Sequence, residues 1–100
     1  MKPLKVKYLT NLKKEISNEV VLRGEFFKTG TKFEIFFYKL FKSEEFLEEI
    51  KECFDKRIVV HSFHIIDMSN NDFQEIIIKN CLVEQFVEKD KEFSFILVPN

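Results

Sequence analysis

The chain has 100 residues, 45% hydrophobic and 33% charged, with 16 basic and 17 acidic side chains and a net charge of −1. That length and composition suit one globular domain with its own core and exclude a disordered chain. The near-neutral charge excludes a protein that coats nucleic acid through overall charge, although a local basic patch stays open.

The N-terminal stretch Met1–Lys7 carries lysines and lacks the apolar segment of a secretory signal. The longest apolar runs, such as Phe95–Val98, fall far short of the ~20 residues of a membrane helix. A soluble chain made in the cytoplasm, with no membrane partner, is expected. Two cysteines in such a chain are expected to be reduced.

Leu4, Val6 and Tyr8 alternate with Lys5 and Lys7, the period of a half-buried strand. Asn11–Asn18 reads as a loop or short helical turn. Alternation resumes with Val20, Leu22, Gly24 and Phe26 on one face and Val21, Arg23, Glu25 and Phe27 on the other. Lys28-Thr29-Gly30-Thr31 supplies a turn in which Gly30 is free to take positive φ.

The next strand carries Phe33, Ile35, Phe37 and Phe41 on one face, while Phe36, Tyr38 and Leu40 join Glu34 on the other. It is therefore apolar on both sides, which a sheet wetted on one side does not require. Some of Phe27, Phe36, Tyr38 and Leu40 are expected to lie against another subunit or a partner. The alternative is that the strands Leu4–Tyr8 and Phe93–Val98 fold over this face as a second core layer.

Ser43 followed by Glu44 and Glu45 predicts a helix from Ser43 to Asp55, with the hydroxyl as N-cap and carboxylates at the positive end of the dipole. Phe46, Leu47, Ile50, Cys53 and Phe54 form its apolar stripe. Lys56 and Arg57 close it. A strand from Ile58 to Ile66 follows, then a polar turn, Asp67–Asp72. The strand Phe73–Val87 places Ile76, Ile78, Leu82 and Phe86 on one face and Ile77, Cys81, Val83 and Val87 on the other, with a bulge or bend near Asn80. After the charged turn Glu88–Glu92, Phe93, Phe95 and Leu97 alternate along a last strand that Pro99 ends. The fold class is α+β: about six mostly antiparallel strands in a barrel or sandwich with one packed helix, a single domain spanning residues 1–100.

The candidate chemistry is sparse, and no catalytic, cofactor-binding or metal-binding residue is assigned. His61 and His64, three apart on a strand, should face opposite sides and so cannot share a metal. Cys53 lies on an acidic helix, an unfavourable field for a thiolate, and Cys81 reads as a small core residue. The helix carboxylates suit a solvated surface. Asp67, Asn70, Asn71 and Asp72 lack the Gly and Glu of a calcium loop. Phe27, Phe36 and Tyr38 with Lys28, Lys32 and Lys39 have the composition of a base-stacking platform in an oligonucleotide-binding barrel, although paired aromatic strands more often build core.

The segment Glu45–Val98 contains one amphipathic helix, a strand ending in an Asp/Ser/Asn turn, the long strand IIIKNCLVEQF, a charged turn and a final FSF strand. With the preceding hairpin GEFFKTGTKFEIFFYKLF it resembles, in layout, the second half of tail-tube and Hcp-like proteins of phages and related injection systems. That resemblance implies a non-enzymatic, ring-forming homo-oligomer with sheet edges paired between subunits. Its partners would be itself and other particle proteins, and its location a virion or injection particle. A shortened relative serving as terminator, adaptor or baseplate piece fits the same layout. Two other readings are a single-stranded nucleic-acid-binding module and a small phage-encoded inhibitor or adaptor that binds a host protein.

Overall fold

The computed structural model describes residues 2–10, 18–40, 43–68 and 74–100. The loop expected after Thr10, Phe41, and most of the Asp67–Asp72 turn lie outside them. The elements run β1 (Lys2–Thr10), β2 (Asn18–Thr29), β3 (Lys32–Tyr38), α1 (Glu44–Lys56), β4 (Val60–Asp67), β5 (Gln74–Glu88) and β6 (Glu92–Pro99). All pairings are antiparallel and the sheet closes in the order β1-β2-β3-β6-β5-β4. The expected α+β arrangement is thus realised as a closed barrel, with two meanders, β1–β3 and β4–β6, joined by the helix.

Alternation decides which side of each strand is inside. Leu4, Val6 and Tyr8 of β1, Leu22 of β2, Ile35 and Phe37 of β3, and Phe93, Phe95 and Leu97 of β6 are all buried. The β2–β3 hairpin turns through Gly30 and Thr31 between the paired Thr29 and Lys32, with Gly30 at φ 62. A two-residue hairpin with positive φ at its first position favours glycine there. Gly24 meets a different demand. A Cβ built on it would lie 2.6 Å from Phe37 Cδ1 and collide with the backbone oxygen of Phe36, so only a bare backbone fits beneath that ring.

The long strand β5 departs from simple alternation. Ile78 is buried, but so are Cys81 and Val83, which the even-numbered pattern assigned to the opposite face. Asn80 has φ 51, the bend expected near it, and the inward side switches parity there. Asparagine is among the few non-glycine residues that enter this region readily. On the partner strand the same switch occurs between Val60 and Phe63, both buried, and the β1–β4 register shifts at Leu9/Thr10. A second shift between Val83 and Gln85 returns Phe86 to the core side. These irregularities bend a 15-residue strand around a small barrel.

The helix caps the barrel. Phe46 is buried among the rings of Tyr8, Phe37, Phe63, Phe93 and Phe95, at centroid distances from 5.1 to 6.2 Å. Leu47, Ile50 and Cys53 complete the buried stripe, while Phe54 is only partly buried and stacks on Phe86. Ser43 sits at the N-cap, but its hydroxyl makes no capping bond to the helix. Instead it accepts from the Leu40 N–H at 2.9 Å and donates to the Leu40 carbonyl at 2.7 Å, pinning the chain that leaves β3. At the other end Arg57 takes a left-handed conformation, and Ile58 N–H donates to the Cys53 carbonyl at 3.0 Å. Asp67 is also placed differently from expectation. It is a buried residue of β4 paired with Leu4 and Gln74, not part of a turn.

Candidate interaction surface

The outward side of β2 and β3 concentrates exposed apolar area. Phe27 is 50% exposed, Tyr38 39% and Val21 52%, and Phe36 is half-buried. Because Ile35 and Phe37 turn into the core, Phe36 and Tyr38 must turn out. The register then sets each aromatic residue beside a carboxylate: Glu25 stands opposite Phe36, Phe27 opposite Glu34, and Tyr38 opposite Glu92. Phe27 and Phe36 meet edge to face across the diagonal at 6.1 Å. The strands Leu4–Tyr8 and Phe93–Val98 do not fold over this face; β1 and β6 lie beside β2 and β3 in the barrel wall.

Of the four residues singled out from sequence, Phe27, Phe36 and Tyr38 share this face. Leu40 does not. It is 40% exposed in a cleft between the end of β3 and the start of α1, shared with Lys39, Ser43, Leu47 and Glu88. Lys39 bridges that cleft to Glu88 at 2.8 Å, which holds the Glu88 carboxyl below its usual range. Val21, Arg23 and Glu25, which alternation with Leu22 and Gly24 sets on the same face as Phe27, are exposed beside it.

The lysines proposed for a base-stacking platform are dispersed. Lys28 lies over the Phe33 ring at 5.7 Å, and Phe33 packs on the core side of β3. Lys32 is ion-paired with Glu84 at 3.1 Å, and Lys39 turns to the cleft. The aromatic residues are left beside Glu25 and Glu34, with Arg23 next along the β2 row.

The remaining reactive groups are held protonated or lie at the surface. Burial, with Glu49 and Glu52 nearby, pushes the Cys53 thiol up to about 11. Burial likewise pushes Cys81 up to about 11, and its thiol faces the Val60 carbonyl at 3.8 Å. Tyr8 is raised far above its ordinary value by burial and by a hydrogen bond to Glu49. His61 and His64 do not face opposite sides as expected. The parity switch in β4 leaves His61 exposed and His64 partly exposed, with Nδ1 3.1 Å from Glu75. Among the described residues no cluster of three or more His, Cys, Asp or Glu is disposed to hold a metal, and no helix is long and apolar enough to cross a membrane.

Barrel closure gives every strand two neighbours. The pairing is not continuous along each strand: β2 pairs with β1 over Asn18–Gly24 and with β3 over Gly24–Thr29. No protein-family model, curated protein or solved structure matches the chain.

Proposed function

We propose that this protein is a non-enzymatic assembly component that self-associates through the outer face of β2 and β3. The observation that carries this reading is the cluster of Phe27, Phe36 and Tyr38 on the water side of a barrel whose core is complete without them. Exposed aromatic clusters of this kind mark protein contacts more often than idle surface. The layout resemblance to tail-tube and Hcp-like proteins supports a place in a phage tail or related injection particle, as tube, terminator, adaptor or baseplate piece.

The dispersal of Lys28, Lys32 and Lys39 favours a protein partner over single-stranded nucleic acid. An inhibitor or adaptor of a host protein would use the same face but remain a monomer until its target is present. Sedimentation velocity of the purified chain tests the proposal: it should associate reversibly, and the pair of changes Phe27→Ser and Tyr38→Ser should shift it towards monomer. A wild-type chain that stays monomeric at millimolar concentration rejects self-association. Salt-sensitive binding of a labelled oligonucleotide at micromolar protein would revive the nucleic-acid reading.

A further inference from the structure

The outward row of β2 reads Val21, Arg23, Glu25, Phe27, and all four side chains are exposed. Its order is apolar, basic, acidic, apolar. Reversed about Gly24, the row becomes its own complement. We propose that two copies of the chain dock face to face through β2, antiparallel, about a twofold axis at Gly24. Arg23 of each then meets Glu25 of the partner subunit, and Val21 of each meets Phe27 of the partner subunit. This inference rests on the self-association reading above and gives it a symmetry and a register.

The neighbouring strand fits the same operation. Glu25 is paired with Phe36, one residue from the Gly24–Phe37 pair at which the β2–β3 ladder ends. Reversal of strand direction therefore sets Phe36 of each copy beside the contact between Glu25 and Arg23 of the partner subunit. Aromatic residues and arginine are the types enriched in the centres of protein interfaces. The alternative arrangement, with the two β2 strands parallel, sets Arg23 against Arg23 and Glu25 against Glu25, and repulsion disfavours it. A purely cationic partner would satisfy only the Glu25 end of the row, and an anionic one only the Arg23 end. A second copy carries both signs in the order required. An isologous contact of this type is the commonest way for a soluble chain to pair.

Charge reversal tests the register. Arg23→Glu alone and Glu25→Arg alone should each weaken wild-type association at least about tenfold in sedimentation equilibrium, because each sets like charges face to face twice per dimer. The double swap R23E/E25R should restore it. An equimolar mixture of the two single variants should form a mixed dimer. Both side chains are exposed, and circular dichroism and urea midpoints of all variants should match wild type. If the wild-type chain is monomeric at millimolar concentration, self-association and this register fail together. If the wild type associates but single reversals leave it unchanged, or the double swap does not recover it, the register is overturned while self-association stands.

Discussion

The ring of Phe46, carried on α1, stands 5.5 Å from the ring of Phe37 on β3 at an interplanar angle of 83°. This edge-to-face contact ties the helix to the barrel interior, and both rings are fully buried. Phe46→Ala should destabilise the fold by about 3–5 kcal/mol, since neighbouring rings cannot collapse fully into the space. Phe54 belongs to the same stripe but is only partly buried, so Phe54→Ala should cost clearly less. Urea unfolding of the two variants ranks them, and equal losses would refute the helix as a plug centred on Phe46.

Gly24 predicts a second sensitivity. The atom that blocks a Cβ there is the Phe36 backbone oxygen, which cannot swing aside as a side-chain tip can. Gly24→Ala should therefore destabilise by about 1–3 kcal/mol, as overpacking does elsewhere, despite the ordinary gain from stiffening the unfolded chain. Thermal melting of this variant above the wild-type midpoint would show that the β2–β3 spacing is looser than described.

Asn80 holds a left-handed backbone at φ 51, where a β-branched residue is strained. Asn80→Gly should leave stability within about 1 kcal/mol of wild type, whereas Asn80→Val should lower it by about 1–2 kcal/mol. Equal urea midpoints for the two would show that the parity switch of β5 does not depend on this conformation.

The buried thiols and Tyr8 set an alkaline limit. Folding raises Cys53 and Cys81 from 9.0 to about 11 and raises Tyr8 above 10.0. In each window the unfolded chain has released its proton while the folded chain keeps it, so stability is full below about pH 9 and falls as pH rises. The slope approaches about 1.4 kcal/mol per pH unit for each such group. Urea midpoints from pH 7 to 11 should decline accordingly, and Tyr8→Phe should flatten the decline above pH 10. At neutral pH neither thiol should react with a disulfide reagent until the chain unfolds.

Much of the architecture follows from local pattern. The alternation of Leu4, Val6 and Tyr8, of Ile35 and Phe37, and of Phe93, Phe95 and Leu97 determines which side of those strands is inside. The i, i+3, i+4 spacing of Phe46, Leu47, Ile50 and Cys53 likewise determines the helix and its buried face. These are short-range periodicities, and a chain shows them before it folds.

Only the tertiary structure decides how the strands join. Closure of β1 on β4 and of β3 on β6 makes a barrel of what reads equally well as a sandwich, because pairing between distant strands leaves no mark on either strand alone. Curvature then imposes the bulges at His61/Asn80 and at Glu84, and each extra residue reverses the inward parity of everything beyond it. That is why Cys81 and Val83 are core and why His61 and His64 both face water. The surface was half legible: alternation sends Phe27 and Tyr38 outward and Lys28 to the opposite side, but only the cross-strand register sets Glu25 beside Phe36. Hydrophobic period acts within one strand, whereas register is fixed by the closure of the whole sheet.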